Sequence, residues 1–387
     1  MAILRHCPIC SSSEGKILFT RDFSAIKDVA PFEKYDVIVC EKCGFVYARP
    51  YGEYNLLDYY ETESKYDNQE YGKYNEVYRK IFNMFNCLCE EGNIFTDKKK
   101  FDLSILDIGC SMGMLLYIFK ENGYKNLTGL EPSSQCRELA NKIYGIDIIT
   151  GAAKDTLPRK YDLIISTTVL EHLLSLREEV HNFKEKLNKD GVCFLVVPNA
   201  EFFCTRDNLF QDFSTEHINY FNIESLDKLM EITGMERIVM HDEGEFIYAL
   251  YKKNDNVNSH GYNKNVKLEI CLQKYIQNST KVLAHINGIL EKYKNKKLLV
   301  WGTGTHTATL LGLSVLKNMK ISGFVDSNRH YWGKKINGIK IISPDELLED
   351  EKLSSESILI SSELAQTDIK KYIIDDLKLK NEIITLY

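Results

Sequence analysis

The sequence shows no excess of positive charge. Its 387 residues include 49 Lys and Arg against 55 Asp and Glu, which gives a formal net charge of -6. Proteins that grip phosphate backbones gather them with a positive field over part of their surface. The charge balance therefore disfavours a nucleic acid as the partner.

Long hydrophobic runs are also missing. The longest apolar stretches, such as residues 191–198, are far shorter than the roughly 20 residues that cross a bilayer. Residues 1–10 contain no apolar core of the kind that a signal peptide needs. Internal repeats and low-complexity tracts are absent as well. We therefore expect a cytoplasmic protein that does not enter a membrane.

The residues that are present indicate a globular chain of more than one domain. Hydrophobic residues make up 44% and charged residues 27% of the sequence, which is enough apolar area for a sizeable core. A chain of this length exceeds the usual size of one hydrophobic core, so we expect two or three domains. In a cytoplasmic protein the 11 cysteines are expected to be thiols or metal ligands rather than disulfides.

The pattern of short apolar runs divides the chain into three predicted units. Residues 1–75 are predicted to form a small module followed by a tyrosine-rich connector. Residues 76–253 alternate strands and helices, which predicts a doubly wound α/β sheet with parallel strands. Residues 266–387 begin with a long predicted helix and continue as a smaller, Rossmann-like α/β domain.

Two CxxC pairs lie in the first unit. Cys7 and Cys10 form one pair, and Cys40 and Cys43 form the other. Each pair can present two thiolates to one tetrahedral ion, and Zn²⁺ is the usual occupant. Because four cysteines leave no open coordination position, a structural zinc is predicted rather than a catalytic one. The alternative is a chance cluster of buried thiols.

A nucleotide-type turn follows the first strand of the second unit. Residues 105–113 run from an apolar strand through Asp107, Gly109, Cys110 and Gly113 into a helix predicted to begin near Met112. Glycine allows backbone to approach a ligand closely and to adopt positive φ. Glu131 ends the next predicted strand, where a carboxylate can accept hydrogen bonds from both hydroxyls of a ribose. Dinucleotide-binding enzymes share this geometry.

The later segments of this unit distinguish the site from that of a dinucleotide-binding enzyme. Asp107 and Gly109, then Glu131, then residues 161–165 and Leu170-Glu171-His172, are together similar to the ordered motifs of class I S-adenosylmethionine-dependent methyltransferases. The resemblance implies that S-adenosylmethionine is the cofactor. It implies a cofactor site formed by the following residues: Asp107, Gly109, Cys110 and Gly113 at the methionine moiety, Glu131 at the ribose, Ala152 or Ala153 at the adenine edge, and Thr168 and Leu170 nearby.

A polar and aromatic loop after the strand at 192–197 contains candidates for the acceptor site. In a doubly wound sheet such a loop lines the ligand crevice, so Glu216, His217 and Tyr220 could face the acceptor. His217 is the best candidate for a general base, since its ordinary pKa lies near neutrality. Alternatively, Glu216 and His217 only cap the loop before a helix that begins at Ile223.

The whole arrangement resembles the three-domain, zinc-containing sugar C-methyltransferases, which act on nucleotide-linked 4-keto-deoxysugars. The likeness rests on the two CxxC pairs, the methyltransferase motifs, Glu216-His217-x-x-Tyr220-Phe221 and the C-terminal α/β unit. It implies that Glu216, His217 and Tyr220 belong to the acceptor site, with His217 as the base. It also implies that a tyrosine of the 54–74 run closes the pocket, and we name Tyr66, together with His172, as substrate-binding candidates.

One residue departs from that family. Two residues before the Glu-His pair those enzymes tend to have a tyrosine, and this chain has Ser214. C-methylation beside a ketone needs an enolate and therefore asks more of the base than O-methylation does. C-methylation is favoured, and O- or N-methylation stays open.

The third unit repeats a strand, a glycine turn and a helix. Gly302 and Gly304 could face the nucleotide of the substrate, with Arg329 and His330 as weaker candidates, but Thr307 occupies the position of a third glycine. The alternative is a docking domain with a degenerate turn. For the whole chain, two other functions are open: methylation of ribosomal RNA, and a non-catalytic module that binds the cofactor. Residues 1–50 hold seven Lys or Arg and six Asp or Glu, which is nearly neutral and speaks against RNA.

Overall fold

The computed structural model describes residues 5–26, 31–52, 56–62, 75–254, 261–262, 264–350, 352–353 and 356–387. The N-terminal segment contains β1 (Gly15–Asp22), β2 (Lys34–Cys40), β3 (Val46–Pro50) and helix α1 (Leu56–Thr62). These three strands form an antiparallel sheet in which β2 is almost entirely buried. Its valines and isoleucine at 37–39 are strong strand formers, which explains why this segment is a strand.

The middle unit alternates helices and strands as predicted. Its elements are α2 (Asn75–Glu91), β4 (Ser104–Ile108), α3 (Met114–Glu121), β5 (Asn126–Glu131), α4 (Ser134–Tyr144), β6 (Ile148–Thr150), β7 (Tyr161–Thr167), α5 (Leu176–Lys186), β8 (Leu187–Pro198), β9 (Asn219–Tyr220), α6 (Ile223–Ile232), β10 (Met235–Asp242) and β11 (Phe246–Lys253). Helix α3 begins two residues later than predicted, because Gly113 is its N-cap with φ of 78°.

The sheet of this unit has the strand order β10-β11-β8-β7-β4-β5-β6. From β8 to β6 all neighbours are parallel, whereas β11 and β10 are antiparallel additions at one edge. The α/β prediction is confirmed, but the expectation of parallel strands alone is wrong at that edge. The physical reason is the short connection between β10 and β11, which permits only a hairpin.

The C-terminal unit is a second, smaller α/β sheet. It contains α7 (Lys267–Leu290), β12 (Lys297–Trp301), α8 (Thr305–Leu313), β13 (Lys320–Val325), β14 (Lys335–Ile336), β15 (Ile339–Ile342), α9 (Pro344–Glu349), β16 (Ser357–Ile360), α10 (Gln366–Lys371) and β17 (Ile383–Ile384). The strand order is β14-β15-β13-β12-β16-β17, and all neighbours except β14 and β15 are parallel. Within the described part of the chain, no helix combines the length and apolar character that crossing a bilayer requires.

The predicted units share strands and core. Strand β9, from the loop after β8, pairs with β3 and completes the N-terminal sheet. One hydrophobic cluster contains Tyr35 of β2, Phe213 of the loop, Tyr275 of α7 and Leu298 of β12. The division at residues 75 and 253 therefore stays a prediction, since the packing crosses both positions. The loop before β9 therefore packs in one cluster with the N-terminal sheet, α7 and the C-terminal sheet, which fixes its position.

Candidate functional site

A cavity of about 470 Å³ opens at the carboxyl ends of β4, β5 and β7. Most of the cofactor and substrate residues predicted in the middle unit line it, namely Asp107, Gly109, Cys110, Glu131, Ala152, Thr168 and His172. Gly113 and Leu170 are not among its lining residues. Gly113 instead caps α3, and Leu170 is fully buried with its carbonyl oxygen accepting a hydrogen bond from Asn219 at 2.8 Å.

The turn between β4 and α3 brings backbone against the cavity. Gly109 has φ of 73°, and a Cβ there would lie 2.4 Å from Cγ2 of Val169, so no other residue fits without a shift. Ser111 also has a positive φ, 49°. A serine in this conformation costs about 1 kcal/mol or more, which the surrounding structure must offset. Such strain is concentrated at ligand sites.

Glu131 joins this turn to the next strand. Its Oε2 accepts a hydrogen bond from the backbone N–H of Ser111 at 3.0 Å, and its Oε1 accepts one from Ser133 at 3.1 Å. Each carboxylate oxygen has a further lone pair, so the group can still accept from two ribose hydroxyls. Burial raises the pKa of Glu131, while the two backbone hydrogen bonds oppose that rise.

Asp107 lies at the inner end of the same cavity. Its side chain is buried, and among the described residues its Oδ1 has no hydrogen-bond partner; Oγ of Ser111 is in the same condition. Burial, and secondarily the charge of Glu131, raise the pKa of Asp107 well above its usual range. A buried acceptor without a donor is costly. A ligand with hydrogen-bond donors and positive charge, such as the amino acid end of S-adenosylmethionine, fits these residues.

Beyond the cofactor cavity lies a second group of polar side chains. His172 lines the cavity, and the ring of His217 packs edge-on against it with 4.8 Å between ring centroids. Nδ1 of His172 lies 2.9 Å from the hydroxyl of Tyr60, and the hydroxyl of Tyr59 donates to Oε1 of Glu216 at 3.0 Å. Helix α1 therefore places two tyrosines of the 54–74 run on the predicted acceptor residues. Tyr60 lines the cavity, whereas Tyr66 lies outside the described residues.

Ser214 has a structural task in the loop that contains His217. Its hydroxyl oxygen accepts hydrogen bonds from the backbone N–H groups of Glu216 at 3.3 Å and His217 at 3.1 Å. A tyrosine could not make this local turn, because its hydroxyl lies too far from its own backbone. Ser214 therefore helps to hold this loop in place.

Tyr220 is placed away from the cavity. It is buried in β9, its hydroxyl donates to the backbone oxygen of His217 at 3.1 Å, and it is not among the residues that line the cavity. Burial raises its pKa well above the usual range. The helix that follows begins at Ile223 with Asn222 as its N-cap, as the capping alternative predicted.

Several residues of the site gave no signal in the sequence. Tyr78 of α2, Lys154, and Glu178 and Glu179 of α5 line the cavity. Glu171 was noted only as part of a motif, yet it is buried beside His172 and His217, and these three residues offer ligand atoms within 4.8 Å of one another. Neighbours of this kind come from separate elements and cannot be found by spacing along the chain.

The four cysteines of the CxxC pairs converge on one point. Sγ of Cys7 lies 3.6 Å from that of Cys43, Sγ of Cys10 lies 3.4 Å from that of Cys40, and all four lie within 4.8 Å of one another. Thiolates bound at about 2.3 Å to a tetrahedral ion lie about 3.8 Å apart, so the donor set fits Zn²⁺. A hydrogen bond from Cys7 lowers the pKa of Cys10 to about 7.

In the glycine turn of the C-terminal unit, polar groups already form hydrogen bonds with residues of the same unit. Gly302 has φ of 100°, and Oδ2 of Asp326 accepts hydrogen bonds from the backbone N–H and the hydroxyl of Thr303 at 2.8 and 2.7 Å. The hydroxyl of Thr307 donates to the carbonyl of Gly302 at 2.5 Å. Gly304 caps α8 and has open space where a Cβ would lie. The carboxylate of Asp326 disfavours a phosphate at this turn.

Comparisons with known proteins agree with this geometry. Residues 81–239 match a family model described as a methyltransferase domain, and residues 294–384 match one described as C2185-like, N-terminal. C-methyltransferase NovU of Streptomyces niveus is 25% identical over 234 residues, which cover 59% of this chain and 52% of NovU. The chain thus spans about half the length of the curated relative that it matches.

Solved structures that match part of this chain include two methyltransferases. An S-adenosylmethionine-dependent methyltransferase from Clostridium acetobutylicum is 15% identical, with a TM-score of 0.38, and covers 46% of this chain and 92% of its own. Magnesium protoporphyrin IX methyltransferase from Synechocystis, solved with bound S-adenosylhomocysteine, is 13% identical, with a TM-score of 0.39, and covers 51% of this chain and 98% of its own. Together, the matched family model and the site show that residues 81–239 form an S-adenosylmethionine-dependent methyltransferase domain.

Proposed function

We propose that the protein transfers a methyl group from S-adenosylmethionine to a nucleotide-linked sugar or a related carbohydrate intermediate, with carbon as the favoured acceptor atom and oxygen as the alternative. The observation that carries the proposal is that His172 lines the cofactor cavity and that His217, which is not itself a lining residue, packs against the ring of His172. The similarity to NovU, a C-methyltransferase, supports methylation at carbon.

The bound cofactor supplies an activated methyl group, so the protein has to align the acceptor, exclude water and remove a proton. His217 is proposed as the general base. Glu216, held by the hydroxyl of Tyr59, and His172, held by that of Tyr60, would orient the acceptor beside it. Asp107 and Glu131 would hold the amino acid end and the ribose of the cofactor. With Tyr220 directed at the backbone, its role is to fix the loop.

The four cysteines are proposed to hold one structural Zn²⁺. Their sulfur atoms fill a tetrahedral set, which leaves no position for a substrate. We also propose a small-molecule acceptor rather than nucleic acid, because the net charge is negative and residues 1–50 are nearly neutral.

The test is a turnover screen with labelled S-adenosylmethionine against nucleotide 4-keto-sugars, other nucleotide sugars and ribosomal RNA. Transfer to a sugar nucleotide is the expected result, and salt-sensitive transfer to RNA alone would overturn the proposal. With the acceptor found, His217→Ala should lower kcat by about 100-fold or more, since general bases contribute on that order. Cofactor affinity by calorimetry should stay within twofold.

The matched control is His285→Ala, an exposed histidine on α7. It should keep full turnover. If His217→Ala also keeps full turnover, the assignment of the base is wrong.

A further inference from the structure

Glu171 lies in the short turn Leu170–His172 that follows β7. Its side chain is 1% exposed, and neither carboxyl oxygen has a hydrogen-bond partner among the described residues. Its backbone oxygen accepts from the N–H of Ile218, which ties the turn to the loop that contains His217. A carboxyl group in this condition is costly unless it is neutral or gains a partner.

His172 is the polar neighbour of this carboxyl group. Oε1 of Glu171 lies 3.9 Å from Nε2 of His172. Nδ1 of the same ring lies 2.9 Å from the hydroxyl of Tyr60 and 3.2 Å from the backbone oxygen of Glu216. The ring is therefore fixed at Nδ1, and its Nε2 faces Glu171. Hydrogen bonds at catalytic sites are often long before the substrate binds, and they shorten in the complex.

The other titratable groups around Glu171 and His172 come from different elements. His217 packs on His172 from the 206–218 loop, the carboxylate of Glu216 accepts from Tyr59 of α1, and Glu178 and Glu179 line the cavity from α5. Burial raises the pKa of Glu171 to about 8, although its own backbone N–H opposes that rise. At neutral pH the group is therefore a carboxylic acid that can donate its proton.

We propose that Glu171 is a positioning residue that acts through His172, with which it shares one proton during the reaction at the acceptor. This inference rests on the proposed function for the reaction itself. When His217 takes the proton from the acceptor carbon, the electron pair of that C–H bond moves into an enolate and negative charge develops on the acceptor oxygen. The shared proton then shifts from Glu171 to Nε2 of His172, and the positive charge that forms on the ring stabilises that oxygen.

The cycle closes when His217 releases the proton of the acceptor carbon to water. The enolate carbon forms the new bond to the methyl group, the bond between sulfur and that methyl group breaks with its electrons going to sulfur, and the carbonyl group is restored. The shared proton returns to Glu171. A neutral buried carboxylic acid that stabilises an enolate is known as a catalytic device in ketosteroid isomerase.

Infrared spectroscopy of the intact, zinc-loaded protein tests the pair without any acceptor. At pH 7 the difference spectrum between wild type and Glu171→Gln should contain the C=O band of a protonated carboxylic acid. His172→Gln should shift that band, because an amide replaces the imidazole ring that lies beside the carboxyl group. Glu185→Gln, an exposed carboxylate on α5, should change nothing in this region. Absence of the band, or a band that His172→Gln leaves in place, overturns the proposal.

Two controls keep the test decisive. Each variant must bind S-adenosylhomocysteine within about threefold of wild type by calorimetry, and His172→Asn replaces His172→Gln if the latter does not fold. Metal analysis should find no ion lost in Glu171→Gln. An ion present in wild type and lost in that variant would mean that Glu171, His172 and His217 are metal ligands, which overturns the shared proton.

Turnover gives a second readout once an acceptor is known. Wild-type kcat should fall as pH rises through about 8, where Glu171 loses its proton. Glu171→Gln should lower kcat about tenfold or more at pH 7 and should lack that alkaline fall, since its amide does not ionise. A variant with wild-type kcat and the same pH profile contradicts the inference. If no sugar nucleotide is methylated, the proposed function fails while the infrared result still decides the pair.

Discussion

At the scale of single residues, the cofactor site trades stability for binding. Asp107 and Glu131 are both buried, and burial is the first cause of the raised pKa of each. A folded-state pKa above that of the unfolded chain means that the folded protein binds more protons between the two values. Stability therefore falls as pH rises through that window and stays lowered above it. Bound cofactor should offset this loss of stability.

Asp107→Asn should raise the melting temperature at pH 7 to 8, because the amide carries no charge to desolvate. The advantage should vanish as pH falls toward the ordinary pKa of aspartate, where both proteins are uncharged at this position. The variant should bind S-adenosylmethionine about tenfold or more weakly, since a hydrogen bond to a charged group contributes about 1.5 to 3 kcal/mol. Differential scanning fluorimetry across pH and calorimetry measure the two effects. A variant that is less stable than wild type at pH 8 would contradict this account.

At the scale of elements, the cysteine cluster and the acceptor loop are joined by strand pairing. Strand β3 begins at Val46, three residues after Cys43. Its residues Val46 and Tyr47 pair with Tyr220 and Asn219 of β9. The guanidinium of Arg5, next to the first CxxC pair, donates to the backbone oxygen of Ile218 at 2.9 Å and to Oδ1 of Asn219 at 2.7 Å. We therefore expect that a disordered cysteine cluster would also loosen the loop that contains His217.

Purified, reduced protein should contain about one zinc per chain, and Cys40→Ser should lose it. Since metal binding contributes directly to the folding free energy, the variant should melt at least about 5 °C lower. Its amide hydrogens at 216–221 should exchange faster with deuterium. Metal analysis, calorimetry and exchange mass spectrometry measure these changes.

Cys87→Ser is the matched control, because that thiol is exposed and outside the cluster. It should keep the zinc and the melting temperature. Suppose instead that purified wild-type protein contains no metal and that its amide hydrogens at 216–221 exchange at the same rate as those of Cys40→Ser. The cysteines would then be only buried thiols.

At the scale of the whole molecule, a buried arginine connects the three predicted units. Arg21 of β1 donates from Nε to the backbone oxygen of Phe213 at 3.0 Å and from Nη2 to Oγ1 of Thr309 in α8 at 2.7 Å. Its guanidinium lies 4.6 Å from the ring centre of Phe23. Burial lowers its pKa. The contacts bind the N-terminal sheet, the acceptor loop and the C-terminal unit to one another.

Arg21→Gln should destabilise the protein by about 3 kcal/mol, because it leaves buried acceptors without their charged donor. Both tryptophans, Trp301 and Trp332, lie in the C-terminal unit. Fluorescence therefore reports on that unit, while far-ultraviolet circular dichroism reports on the whole chain.

In wild type the two denaturant transitions should coincide, and in Arg21→Gln they should separate. Arg137→Gln, an exposed arginine of α4, should behave as wild type. Coincident, unshifted transitions in Arg21→Gln would show that the contacts do not couple the units.

Local patterns in the sequence determined much of the architecture. Glu131 ends β5 and α6 begins at Ile223, both as predicted, and α7 is the long helix expected at the start of the third unit. Each depends on apolar periodicity or on a turn residue within a few positions, which the chain itself records. The CxxC spacing likewise predicted the convergence of the four cysteines.

Only the tertiary structure decided which distant residues meet. The pairing of β3 with β9, the placement of Tyr60 on His172, and Arg21 between Phe213 and Thr309 join positions from 100 to almost 300 residues apart. Such contacts follow from the packing of whole elements, and a buried carboxyl group such as Glu171 has its unusual proton affinity because of that packing. The spacing of residues along a chain does not record how deeply each one is buried, so Glu171 was recognised in the sequence only as part of a motif and not as a buried acid beside the two histidines.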